Sequence, residues 1–190
     1  DYTNISTNLM LGNNYNLSVE VNIDGSISIY TRVWIDWNQN GSFNDSGEQY
    51  DLGIDTNPSS TIDLNITTSN SPLNLGVPSN AALGSTRMRV FTQYNSYPTS
   101  CYNGVSGEVE DYTLNITRPI GPEIHVKGNN NIIANGDTTT SGLNNTAFGT
   151  SNVGIPDAPN TFVIESIGTS TLNLTGTPQL IEISGLHASD

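Results

Sequence analysis

The strongest constraint on the fold is an alternation of apolar and polar residues broken by turn signals. In YNLSVEVNI (15–23), Leu17, Val19, Val21 and Ile23 fall on every second position. Successive strand residues point to opposite faces, so this spacing gives one apolar face. Asp24-Gly25 follows, and SISIYTRVWI (26–35) begins at once. Glycine tolerates the positive φ of a tight turn, so a hairpin is predicted there. Further strands are expected at 61–66, 73–77, 86–94 and 108–117. In 108–117 the alternation slips by one between Val109 and Tyr112, as it would at a β-bulge. No segment carries the i, i+3, i+4, i+7 apolar stripe of an amphipathic helix.

Composition agrees with an all-β chain. Hydrophobic residues make up 34% and charged residues only 12%, half the usual ~25%. Asn, Ser, Thr and Gly carry the polarity, and these disfavour helix interiors. Many short strands between turns indicate a β-sandwich or jelly roll.

Two units are expected. TRPIGPE (117–123) has two prolines and a glycine after a strand. We read residues 1–118 as one β-sandwich, 119–122 as a linker and 123–190 as a second sandwich. Strand candidates in the second are EIHV, NNII, TFVIES, TLNLT and LIEIS. Residues 123–190 are too few for the ~100-residue, seven-strand immunoglobulin sandwich, so the second module is expected to be incomplete.

Five Lys and Arg against eighteen Asp and Glu give a net charge of −13. Such a surface repels phosphate backbones, which argues against nucleic acid as a partner. It suits multivalent cations, or serves solubility alone. No apolar run approaches the ~20 residues of a membrane helix. Cys101 is the one cysteine, so no internal disulfide is available, and a free, partly buried thiol is expected. The opening DYTNIST reads as the middle of a longer chain, and the composition looks extracellular.

The candidate site is the loop after the SISIYTRVWI strand. Asp36, Asn38 and Asn40 are spaced by two and followed by Gly41. This is the first half of the calcium-loop pattern D-x-[DN]-x-[DN]-G. Calcium takes 6–8 hard oxygen ligands, and alternate side chains of a tight loop converge on one point. Ser42 stands at the seventh position, where a backbone carbonyl is used. The second half departs from the pattern: position twelve is Gly47, so Asp45 or Glu48 would close the shell. The other reading is an Asx-rich loop that satisfies its own backbone without metal. A second candidate is an aromatic platform for a sugar, from Trp37 with Tyr94, Tyr97 and Tyr102. Its partner would be a glycan or a cell-surface protein.

Catalysis is not expected. The histidines, His125 and His187, sit in no metal motif, and both lie in the second unit. Glu108 and Glu110 share one strand face. They read as cation ligands, or as hydrogen-bond partners of the backbone and of Arg87 and Arg89, rather than as a glycosidase pair.

SGEVEDYTLNI (106–116), VWIDWNQNGSFNDSGE (33–48) and LGSTRMRV (83–90) together resemble the GEVED domain. The resemblance implies an accessory β-sandwich of secreted, multidomain proteins of Bacteroidota, with no assigned catalytic role. It puts the family's acidic loop on Asp36, Asn38, Asn40, Asp45 and Glu48, and its name motif on Gly107, Glu108, Val109, Glu110 and Asp111. Glu108, Glu110 and Asp111 are then candidates for a second cation site or for closing the first.

PEIHVKGNNNIIANGDTTT (122–140), NTAFGTSNVG, TFVIESIGTSTLNLTG and IEISGLHASD resemble the choice-of-anchor D module, which is immunoglobulin-like. Asp137-Thr138-Thr139 resembles a short O-glycosylation signal, with Thr138 as acceptor. The expected role is spacing, adhesion or assembly at the cell surface, beside other domains of the same longer chain. Targeting of an attached enzyme, or subunit contacts in an extracellular filament, are the alternatives.

Overall fold

The computed structural model describes residues 1–59, 62–101, 106–150 and 158–176. The chain is all-β, and no helix occurs among the described residues. It divides into two compact units, Asp1–Arg118 and Pro119–Asp190.

Among its described residues the first unit holds nine strands: β1 (Tyr2–Met10), β2 (Asn14–Leu17), β3 (Glu20–Ile23), β4 (Ser28–Ile35), β5 (Gln49–Thr56), β6 (Leu64–Thr67), β7 (Leu73–Gly76), β8 (Gly84–Tyr94) and β9 (Gly107–Thr117). A five-stranded sheet has the order β1-β9-β8-β4-β5, and β1 runs parallel to β9. Two antiparallel pairs, β2-β7 and β3-β6, lie end to end as one interrupted ribbon. At the interruption Val19 takes a hydrogen bond from Thr68 N and donates one to Ser71 Oγ. Val19 and Val21 of the ribbon and Ile29 and Val90 of the sheet face one another across a groove at one side, so the ribbon stacks on the sheet as the second layer of a sandwich.

β4 is the central strand, and consecutive residues are buried on both of its faces. Val33 and Ile35 point to the ribbon side with Ile29, Val90, Leu114 and Ile116. Trp34 and, from β8, Phe91 are buried on the opposite side. Loops close that side. Arg32 Nη1 donates to Pro98 O at 3.1 Å and Arg89 Nη1 to Ser100 O at 2.7 Å.

Asp24-Gly25 reverses the chain as predicted, with Gly25 at φ 77, but makes no hairpin. β3 pairs with β6 and β4 with β5 and β8. The turn carries the chain from one layer to the other, and Ile23 and Ile29 both enter the core. The slip near Val109 is not a bulge, because residues 107–116 pair with 84–93 without a break. Val109 simply lies on the other face, 41% exposed. Irregularities occur instead between Thr31 and Arg32 opposite β5, and between Tyr2 and Ser6 opposite β9.

The second unit contains an antiparallel sheet of order β11-β10-β12, from β10 (Ile124–Gly128), β11 (Asn131–Ile133) and β12 (Phe162–Ser166). Residues 119–122 are not a free linker. Pro119 O and Gly121 O accept from Thr169 N and Ser170 N at 3.0 and 3.1 Å, so the segment belongs to this unit. A Cβ at Gly168 would lie 2.0 Å from Gly121 O, which explains a glycine at that crossing. TLNLT (171–175) forms no strand, and LIEIS lies outside the described residues.

Candidate functional site

The loop between β4 and β5 is clamped at both ends. Ile35 N donates to Glu48 O at 2.9 Å and Asp36 N to Arg87 O at 3.2 Å. Thr86 Oγ1 donates to Asp36 O. Gln39, Gly41 and Gly47 take positive φ of 56, 82 and 87° and turn the chain back on itself.

Inside the loop, short polar side chains cap successive amides. Asp36 accepts from Asn40 N at 3.1 Å and from Gly41 N at 3.0 Å. Asn38 Oδ1 also accepts from Asn40 N, and Asn40 Oδ1 accepts from Ser42 N at 2.8 Å. Ser42 Oγ accepts from Asn44 N. Asp45 Oδ2 accepts from Asn38 Nδ2 at 3.2 Å and Asn40 Nδ2 at 2.8 Å. Asn38, Asn40 and Asp45 therefore converge on one point.

Glu48 lies at the base of the loop, only 2% exposed. Its Oε1 accepts from Trp37 N at 2.9 Å, and its Oε2 is buried without a hydrogen-bond partner. Burial pushes the Glu48 carboxyl above the usual glutamate range, and the charges of Asp36 and Asp45 push it the same way. Hydrogen bonds from the Asn38 and Trp37 backbone act against them. A charged oxygen buried without a partner is costly unless a cation neutralises it.

The loop's side chains are oxygen-bearing groups of the kind a hard cation takes, and they bond one another here. Among the described residues no three His, Cys, Asp or Glu side chains gather into a metal cluster. An ion here would take amide and backbone oxygens as well as carboxylates, as calcium does and zinc does not. Asn38 and Asn40 would turn their amides so that Oδ1 rather than Nδ2 faces the point shared with Asp45. Glu48 Oε2 is the carboxylate oxygen left free to close the shell.

The strand Gly107–Thr117 divides its acidic residues between two faces. Glu108 and Glu110 lie on the ribbon side with Val90 and Thr92, while Asp111 lies on the loop side with Arg89. Asp111 takes two bonds of 2.7 Å from Arg89 Nε and Nη2, and Arg87 approaches it at 3.4 Å. The Arg89 guanidinium sits 5.5 Å from the Phe43 ring centroid. The pairing of Glu108 and Glu110 with arginine, expected from sequence, is thus replaced by Asp111. Side-chain parity decided it, because Arg89 stands directly opposite Asp111. Glu110 instead accepts from Tyr112 OH, whose pKa is pushed up to about 12 mainly by that bond. Phe43, which links the loop to Arg89, carried no periodicity that would have singled it out.

Among the described residues, Trp37, Tyr94 and Tyr97 do not form one aromatic platform. Trp37 is 4% exposed and its Nε1 donates to Tyr50 OH at 2.9 Å, so its ring is not offered to a sugar. Tyr97 packs edge-on against Tyr30 at 5.1 Å with Arg32 over its ring at 4.4 Å. Tyr94 is 47% exposed, on the opposite face of the sheet beside Ile29. Tyr102 and His187 lie outside the described residues. Cys101 is a free thiol, exposed rather than partly buried. His125 is in β10, with Nδ1 buried and without a hydrogen-bond partner. Thr138 is exposed, beside an Asp137 carboxylate that caps Thr139.

Residues 30–115 match the family model of the GEVED domain. The match runs from β4 to β9 and takes in the whole loop, Arg89 and Asp111. No curated protein and no solved structure matches the chain.

Proposed function

We propose that the first unit is a non-catalytic accessory domain, stabilised by calcium, of a secreted or cell-surface bacterial protein. The observation that carries the calcium reading is Glu48. Its free Oε2 is buried at the base of a loop in which Asn38, Asn40 and Asp45 already converge. A structural ion there would tie the loop to the Arg89–Asp111 pair through Phe43, beside the Cys101 thiol that lines the same cavity. The first unit contains no histidine to activate Cys101.

The resemblance of residues 122–190 to a choice-of-anchor D module supports a role in spacing, adhesion or assembly beside other domains. The GEVED resemblance of the first unit supports an origin in Bacteroidota.

Calcium that binds only the folded chain raises its melting temperature with concentration, by about 2.7 kcal/mol of stability at a hundredfold excess over Kd. Titration of calcium into chelator-treated protein is expected to show this rise, and Asp45→Ala to abolish it. Magnesium, which keeps its waters, is expected to act weakly. A melting curve that EDTA and added calcium both leave unchanged overturns the reading.

A further inference from the structure

We infer that the open side of the sandwich, between β3 and the face of β8–β9, is a docking groove for an extended, lysine- or arginine-bearing peptide strand. The groove has a volume of about 520 Å³. Its two walls differ in kind. On one side the consecutive residues Val19, Glu20, Val21 and Asn22 line it. Consecutive strand residues point to opposite faces, so what borders the groove there is the edge of β3. On the other side Val90, Thr92 and Tyr94 of β8, with Glu108 and Glu110 of β9, line it, and Gln93, Ser106 and Gly107 border one end. Val90 pairs with Glu110 and Thr92 with Glu108, so these four share one sheet face and the main part of that wall is the face of a sheet.

An edge in one layer beside a face in the other that is buried at Val90 and open at Tyr94 and Glu108 is the geometry that one more strand completes. Among the described residues β3 has only β6 as a partner, so its other edge offers unpaired backbone groups. A strand added there would pair with β3 and lay alternate side chains on β8 and β9, which is recognition by β-augmentation.

Charge selects the occupant. The lining includes Glu20, Glu108 and Glu110 and no Lys or Arg. Glu108 is exposed, and Glu110 is held by Tyr112 OH on the groove side of β9. Inward side chains of the added strand would meet these carboxylates beside the apolar Val90 and Tyr94. A strand alternating basic and apolar residues fits. A second copy of this chain, at a net charge of −13, is repelled.

The test uses the whole chain and fluorescent peptides of about six residues alternating lysine with valine. Controls replace lysine with glutamate, or carry N-methyl groups on alternate amides. The lysine peptide is expected to bind with an affinity that falls as salt rises, and the glutamate peptide not to bind. The N-methylated peptide is expected to lose binding, because its amides cannot join the β3 edge. Glu108→Gln combined with Glu110→Gln is expected to weaken binding about tenfold. Glu108→Gln alone, at an exposed position, keeps the test open if the double variant misfolds and is expected to weaken binding about threefold. No binding of the lysine peptide overturns the inference. So does equal binding of the N-methylated peptide, which would mean charge adhesion without strand addition, or an affinity that both glutamate variants leave unchanged.

Discussion

Arg89 and Asp111 stand opposite each other on β8 and β9, and guanidinium and carboxylate meet in two bonds of 2.7 Å. Hydrogen bonding to Asp111 raises the Arg89 pKa. Their side chains are only 21% and 12% exposed, so solvent screens them little. Removing one member leaves the other's charge part-buried and unpaired. Asp111→Ala is expected to cost about 2–3 kcal/mol in urea unfolding. Arg89→Lys keeps the charge but loses the fork, and is expected to cost roughly half as much. A loss below about 0.5 kcal/mol for Asp111→Ala would mean that the pair behaves as an ordinary surface ion pair.

Gly53 and Gly25 separate two demands that a glycine can meet. Both have positive φ, 114 and 77°. A Cβ on Gly25 meets nothing within 4 Å, whereas one on Gly53 would lie 2.0 Å from Ser69 Oγ and 3.3 Å from Asn70 N. Gly25→Ala is expected to cost about 1 kcal/mol, from backbone conformation alone. Gly53→Ala adds the clash, and is expected to cost about 2–3 kcal/mol. Thermal melts of the two variants side by side check the order.

Much of this fold was legible because its strands alternate cleanly. Leu17, Val19, Val21 and Ile23 announced one apolar face, and Asp36-x-Asn38-x-Asn40-Gly41 announced the loop, since alternate short oxygen-bearing side chains before a glycine mark a chain that turns back on itself. β1 and β5 were not legible. In β1 only Leu9 is fully buried, so a parallel edge strand left no alternation. In β5 the irregular pairing opposite Thr31 and Arg32 puts Leu52 and Gly53 side by side in the interior, and Asp55 is buried where an apolar residue was due. The layer each strand joins was not legible either. The Asp24-Gly25 turn looks the same in sequence whether its strands pair or part. At the site, a shared strand face and the fit of arginine to carboxylates favoured Glu108 and Glu110 as arginine partners, and strand register chose Asp111.

Asp55 gives a pH dependence of defined sign. It is buried, its Oδ1 accepts from Ser69 N, and its Oδ2 has no partner. Burial raises its pKa above 3.8, against the lowering effect of the Ser69 hydrogen bonds. As pH rises from 3.8 through the raised native value, the unfolded chain has already released this proton and the native chain has not. Native stability from this group therefore falls with rising pH across that window. Asp55→Asn does not titrate but can still accept from Ser69 N. It is expected to gain stability relative to the unsubstituted chain as pH rises, so the difference between their urea-unfolding free energies isolates Asp55. A constant difference from pH 3 to pH 8 would remove this assignment.

Glu48 separates a structural carboxylate from a cation ligand. Without calcium its buried Oε2 is a charged oxygen with no partner, and desolvating a charge costs more than desolvating a neutral amide. Glu48→Gln keeps an Oε1 that can accept from Trp37 N. In chelator the variant is therefore expected to melt at or above the temperature of the unsubstituted chain. With calcium the order should reverse, because only the glutamate supplies a charged oxygen to the ion and affinity follows the ligand charge count. Melting curves of both proteins in EDTA and in millimolar calcium decide it. If the variant is the less stable by the same margin in both, Glu48 only holds the Trp37 amide. The crossing of the two orders is what a cation in the Asp36–Glu48 loop requires.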